Sequence, residues 1–374
     1  MQELRLRTPR PASDRLRFLD WSRGLAVVIM LQGHVFHSFS RNDLREKGPY
    51  LLSQLFGGQG PAIFLFLTGI TLAFLIDRRE RQGLGRVARW RAALERSAYL
   101  WVLAFLFRAQ LWLFAYPGSS WHDLFKVDIL NCMGFAIALF SLTALLTTAQ
   151  RVRVGAILGT AIAAVAPLVS LVDWSFLPAG ISDYFVPNYA AFAFFPWAAF
   201  IAFGISAGSI LRMTPAQDMG RLMQWAALMG LALVGAGEYF SNLPYDFYPK
   251  PEFWLNGPGL VTIKLGVILL VVPFAWLWCE IGNPRWSFVS QLGTTSLIVY
   301  WVHIEIVYGR WLGLWHQTFT AWQCGAASLA VIALMVAVSV GRTKFPKLVR
   351  RRAAEQMPQM AGRELVFAQP TLGD

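Results

Sequence analysis

Charge is scarce in this chain: 14% of its 374 residues are Asp, Glu, Lys or Arg, against 56% hydrophobic residues and a mean hydropathy of +0.47. A typical soluble domain carries about 25% charged residues, and several apolar runs here are long enough to cross a bilayer, so an ordinary water-soluble fold is excluded. Cysteine is scarcer still. Cys132, Cys279 and Cys324 all sit in apolar runs without a CxxC pair, which argues against a disulfide framework or a cysteine zinc site and leaves them as small packing residues. Acidic residues are in deficit, 21 against 33 basic ones, for a net charge of +12. On a soluble domain that excess would suggest nucleic acid. Here the arginines cluster in short connections between apolar runs, the positive-inside pattern, so no nucleic-acid partner is expected. Phosphate-loop, dinucleotide-binding and nucleophile-elbow motifs are missing, as is any clear internal repeat. The first apolar run has no small-residue cleavage site and is expected to stay as a membrane helix.

What is present reads as an all-α, polytopic integral membrane protein with about ten transmembrane helices and both termini cytoplasmic. Spans are expected near 21–39, 59–76, 97–115, from Asp128, and near 154–172, 188–210, 221–240, 259–279, 286–308 and 320–340. Residues 1–14 form a cytoplasmic tail, 15–340 the membrane domain and 341–374 a basic cytoplasmic tail. Ten spans with both termini inside place the linker 77–96, Arg151, Arg153, Arg212, Arg221, Arg285 and the tail on one side, so the count and the orientation support each other. Thr68, Gly69, Thr71 and the Gly204-x-x-x-Gly208 motif predict close helix packing. The aromatic loop 241–259 either anchors the protein at the interface or stacks on a sugar.

The polar residues inside the spans are the functional candidates, because ionisable groups at membrane depth almost always face a bundle interior or a water-filled cavity. The step of 11 from Arg23 to His34 returns to nearly the same helix face, roughly 16 Å along the axis. Asp20, Arg23, His34, and His37 or Ser38 therefore share one stripe. His34 either serves chemistry or bonds a neighbouring helix. Arg108, equally deep in the third span, needs a partner from elsewhere, and Asp128 and Asn131 can supply it, as a structural ion pair or as part of a site. On the ninth span Gly293, Ser296, Tyr300 and His303 share a face, with Glu305 pointing elsewhere. Lys264 lies near the outer end of the eighth. The linker 77–96 holds seven arginines against three acids, Arg78 and Arg79 among them, and is either a topology signal or a positive surface for an entering anion. Arg23 at the inner surface, with His34, Arg108 and His303 deeper, outlines a site connecting the two sides.

Five segments, LDWSRGLAVVIMLQGH, GPAIFLFLTGITLAF, VDILNCMGFAIAL, FPWAAFIAFGISAG and LGTTSLIVYWVH, resemble in that order bacterial membrane proteins related to the catalytic domain of heparan-alpha-glucosaminide N-acetyltransferase. These belong to the wider transmembrane acyltransferase group that includes acyltransferase family 3, and the resemblance runs over about residues 15–340. In acyltransferase family 3 the hallmark is an arginine and a histidine separated by ten residues; Arg23 and His34 match it. The resemblance implies an acyltransferase of the bacterial inner (cytoplasmic) membrane that moves an acyl group, usually acetyl, from cytoplasmic acetyl-CoA or another acyl-CoA. The implied acceptor is a hydroxyl or amine of a sugar or glycan at or across the membrane. No metal is implied, the bilayer is the expected partner, and a homodimer is compatible with the pattern.

Two departures shape the expectation. The lysosomal enzyme that resembles this chain has asparagine where His34 stands, with its proposed catalytic histidine in the following luminal loop, and the loop 40–57 here contains no histidine. Either His34 or His37 must then supply the base. Glycosaminoglycan recognition is not carried over. Acyl transfer from a thioester needs a base, an oxyanion donor and a positive site for phosphates; these fall to His34 or His37, to Arg108 or His303, and to Arg23, with Asp20 beside it, and Arg78 and Arg79. Asp128, Asn131, Tyr300 and Lys264 are placed on the acceptor side. Direct transfer and an acetyl-histidine relay both stay open. The rival from another class is a transporter or flippase for a polar or lipid-linked solute, although neither repeated halves nor broken helices are evident.

Overall fold

The first helix is the hub. In the computed structural model, which describes residues 16–249, 252–282 and 286–366, α1 (Arg17–Phe39) packs against six other helices. Following it are α2 (Gly48–Gly57), α3 (Gln59–Arg81), α4 (Arg86–Ala115), α5 (Trp121–Phe125), α6 (Ile129–Phe140) and α7 (Thr148–Val169). Then come α8 (Ala179–Ser182), α9 (Phe194–Met213), α10 (Met219–Ser241), α11 (Pro258–Gly282), α12 (Phe288–Thr294), α13 (Ser296–Tyr308) and α14 (Ala321–Val366). No strand occurs among the described residues, only two isolated bridges. The expected tail 1–14 and Arg285 lie outside the described residues, as do positions 367–374 of the expected C-terminal tail.

The chain is an all-helical polytopic membrane protein. Seven helices are long and apolar enough to cross a bilayer: α3, α4, α7, α9, α10, α11 and α14. The other three expected spans also form helices but fall short of that standard. Charged residues interrupt the opening turns of α1 at Arg17, Asp20 and Arg23. Helices α6 and α13, at 12 and 13 residues, reach only about 18–20 Å, less than the roughly 30 Å of hydrocarbon.

Two further expectations need correction. The linker 77–96 is not a separate amphipathic segment, because α3 continues to Arg81 and α4 already begins at Arg86. Its charges are largely paired at the helix ends: Arg89 and Arg151 meet Glu80 at 2.7 and 3.5 Å, and Arg81 and Arg212 meet Asp77 at 3.0 and 2.7 Å. The ninth span is not one helix. Both Thr294 and Thr295 turn their hydroxyls onto the Gln291 carbonyl, at 2.8 and 3.2 Å, while the Thr295 N–H goes to Leu292. Side-chain competition of this kind bends or breaks a helix, and here it separates α12 from α13.

Small residues decide which backbones touch. A Cβ on Gly69 would strike the Ile201 carbonyl, and one on Gly204 the Phe66 carbonyl, so α3 and α9 meet backbone to backbone as the GxxxG-type pattern requires. The α1–α12 crossing is equally close: Gly24 faces the Val289 carbonyl and Gly293 the Asp20 carbonyl, with no room for a side chain. That crossing seats α12, and through the break at Thr295 it sets where α13 presents Tyr300 and His303 to α1.

Candidate active site

A cavity of about 1180 Å³ runs between α3, α4 and α6 on one wall and α1, α12 and α13 on the other. Near the start of α1 it is lined by Arg23, Arg96 and Arg342, with Thr294, Thr295 and Ser296 at the α12–α13 break. His34, Met30, Phe64, Phe107 and Tyr300 line its middle. At the far end stand Arg108, Asp128, Trp112, Asp123, Lys126, Glu305 and Arg310.

His34 and His303 meet in the middle. The Nδ1 of His34 lies 2.9 Å from Nε2 of His303, the ring centroids 5.1 Å apart and the planes 14° from parallel. His303 is fully buried, and its Nδ1 is 2.8 Å from the Val299 carbonyl oxygen. A carbonyl only accepts, so the His303 proton sits on Nδ1, and in a neutral ring Nε2 is then an acceptor. His34 must donate from Nδ1. Its lone pair is left on Nε2, the ring nitrogen not engaged by His303, on a side chain that lines the cavity.

One turn further along α1, His37 is held differently, with its Nδ1 3.1 Å from the Tyr308 hydroxyl. Tyr308 in turn stands edge-on to His34 at 5.4 Å and lines the cavity, which His37 does not. Of the two candidate bases, His34 has direct access to the cavity.

Asp128 is the N-cap of α6. Its Oδ1 accepts from the Leu130 and Asn131 N–H groups at 2.9 and 3.1 Å, and the Asn131 Oδ1 accepts from Asp128 N–H at 3.3 Å, a reciprocal cap of the kind worth about 1 kcal/mol. The other carboxylate oxygen, Oδ2, turns to Arg108 Nε at 3.4 Å. That distance makes an ion pair, yet neither atom is satisfied by a hydrogen bond, and buried Trp112 Nε1 has no partner either. Buried polar atoms are normally satisfied; here three unsatisfied ones belong to side chains that line the same end of one cavity. Asp123, on the non-spanning α5, is held below the usual carboxylate range by the Ser120 backbone N–H and stays an anion.

The remaining sequence candidates divide. Arg23 lines the cavity and pairs with Asp20 at 3.3 Å; Tyr300 lines it, and Asn131 stands behind Asp128, donating to the Tyr184 hydroxyl at 3.2 Å. Lys264 lies off the cavity, its Nζ donating to the Gly58 carbonyl at 3.0 Å and sitting 4.8 Å over the Trp197 ring. There it closes the C-terminal end of α2. Arg78 is exposed and Arg79 reaches only Gln82; neither lines the cavity. Glu305, expected to point elsewhere, lines it beside Tyr308. Arg342 and Tyr308 were missed altogether, and Arg96 figured only as one of the seven arginines of the linker 77–96. No group of three or more His, Cys, Asp or Glu side chains that could hold a metal occurs among the described residues.

The family model for the catalytic region of heparan-alpha-glucosaminide N-acetyltransferase matches residues 15–238, more than half of the chain. The chain belongs to this family. Membership makes it, in broad terms, a membrane acetyltransferase. The match takes in Arg23, His34, Arg108 and Asp128 and ends before α11–α14, so Tyr300, Tyr308 and Arg342 complete the cavity, and His303 backs His34, from outside the matched region. No curated protein matches the chain.

Proposed function

We propose that the protein transfers an acetyl group from cytoplasmic acetyl-CoA to a hydroxyl or amine of a sugar or glycan presented at the far side of the membrane. The observation that carries this is one continuous cavity with three arginines at one end, the unoccupied lone pair of His34 in the middle and unsatisfied polar groups at the other end. Three guanidiniums from three helices suit the several phosphates of CoA, and positive-inside topology puts that end in the cytoplasm. The roughly 16 Å from Arg23 to His34 leaves room for an extended pantetheine arm between phosphates and thioester.

In the transfer, His34 Nε2 takes the proton from the acceptor O–H, or N–H of a neutral amine, as the oxygen or nitrogen attacks the thioester carbonyl. The new C–O or C–N bond forms, the C–S bond breaks, and the proton passes to the leaving sulfur, giving acetylated acceptor and CoA thiol. His303 stabilises the protonated His34 by accepting from its Nδ1–H, the role an orienting partner plays for a catalytic imidazole. The Tyr308 hydroxyl, on the ring that stands edge-on to His34, and Arg108 of the cavity wall are the donors assigned to the tetrahedral oxyanion. Asp128, Glu305 and Trp112 hold the acceptor. The test is calorimetric titration of the purified protein with CoA, followed by radiolabelled transfer from acetyl-CoA to a panel of sugars. CoA binding with labelled product supports the reading; a protein that binds no CoA overturns it.

A further inference from the structure

Between α4 and α13 the cavity is bounded by side chains that meet across the gap. Helices α4 and α13 face each other there and are joined through a short strap. Gln110 of α4 accepts from the Trp301 indole N–H and donates to Glu305 Oε2 at 3.4 Å, while Phe107 packs against the Trp301 ring at 5.2 Å. Beyond the strap, Phe114 both lines the cavity and is 46% exposed on the outer face of α4. The slit between α4 and α13 thus runs from a polar interior to a lipid-facing surface.

Beside its charged groups the rim of the far mouth carries exposed apolar and aromatic side chains. On one side Trp121 of α5, 70% exposed, stacks on Trp112 of the cavity wall at 4.9 Å. On the other, the turn Arg310–Trp315 carries Trp311 at 73% and Leu314 at 93% exposure, with the Trp311 indole donating to Glu305 at 3.3 Å. Neither segment spans the membrane. Amphipathic aromatic rings of this kind sit at headgroup level, which places the mouth in the lipid interface.

Resting on the acetyltransferase reading, we propose that the slit between α4 and α13 is a side entrance and that the acceptor is a membrane amphiphile. Its polar head enters between Arg108, Asp128 and Glu305 while its apolar chain stays in the bilayer through the slit. Gln110 is the latch. A soluble sugar needs no opening at that depth, whereas a lipid-linked one cannot withdraw its chain into the cavity without leaving the bilayer.

The experiment uses the full chain in phosphatidylethanolamine–phosphatidylglycerol vesicles with a dodecyl glucoside carrying a diazirine on its alkyl chain, photolysed and mapped by peptide mass spectrometry. Adducts on the slit residues Leu111, Phe114 and Ile304, in addition to the outward-facing Leu106 and Leu113, are expected, with slit labelling rising severalfold in Gln110→Ala. Labelling confined to Leu106 and Leu113 in the wild type overturns the entrance, whatever the variant does. CoA affinity measured on the same vesicles separates the two levels: slit labelling without CoA binding leaves the entrance standing and removes the acetyltransferase reading. CoA binding without slit labelling does the reverse.

Discussion

The two ends of the cavity are built from different chemistry. The end at Arg23 has three arginines and a run of threonine and serine hydroxyls, with no carboxylate among its lining residues; the end at Arg310 sets three carboxylates, Asp123, Asp128 and Glu305, among Arg108, Lys126 and Arg310. An end of one sign is suited to a polyanion. A mixed end repels no particular charge and instead offers directed hydrogen bonds, which is what selects a hydroxyl or amine on a polyol. Between them stand two stacked histidines. The difference implies a division of labour, with affinity for the donor at one end, acceptor recognition at the other, and proton transfer in the middle.

That division breaks most sharply at His34. Replacing it with alanine should cut acetyl transfer about 10²- to 10⁴-fold, the usual contribution of a general base, while CoA affinity stays near the wild-type value. Turnover and calorimetry on one preparation check this, and near-normal turnover in His34→Ala would remove the base from the account. A smaller effect, on stability, is expected from Asp128→Ala. It loses the α6 cap, worth roughly 0.5–2 kcal/mol, and strands Arg108 in the membrane, where an unpaired arginine costs roughly 2.5–3.5 kcal/mol. Melting temperature should fall and acceptor KM rise; an unchanged melting temperature would mean that Arg108 finds another partner. Smallest is His37→Ala, which removes a bond to Tyr308 and no cavity wall. Turnover should drop less than tenfold, and a loss matching that of His34→Ala would transfer the base role to His37.

Much of the frame was readable from sequence because membrane burial makes polar residues conspicuous. Arg23, His34, Arg108 and His303 stand out from apolar runs; the structure sets the first three on one cavity and His303 against His34. Helix positions were legible for the same reason, as each of the ten expected segments is helical. What escaped notice depends on helix ends and rotation. Arg96 was counted with a linker, although Gly83 and Gly85 mark a boundary within it; α4 starts at Arg86 and carries Arg96 onto the cavity wall. Glu305 was assigned by its rotation away from His303 on the same helix. His303, however, is buried against His34, and the face of α13 on the cavity runs through Leu297, Tyr300, Ile304 and Tyr308, with Glu305 about 60° from Tyr308. Arg342 comes from α14, far in sequence, and no periodicity within α1 or α4 announces it. The pairing of His34 with His303 across 269 positions likewise belongs to the tertiary fold alone.

The division between the two ends is tested most directly by CoA affinity in two variants of opposite ends, Arg342→Ala and Glu305→Gln, measured by calorimetry on the purified full-length protein. Arg342→Ala should weaken CoA binding roughly tenfold, the lower range for a charge-assisted bond to phosphate, and leave turnover at saturating donor almost unchanged. Glu305→Gln should leave CoA affinity at the wild-type value. CoA affinity that ignores Arg342 but falls with Glu305 would contradict the account.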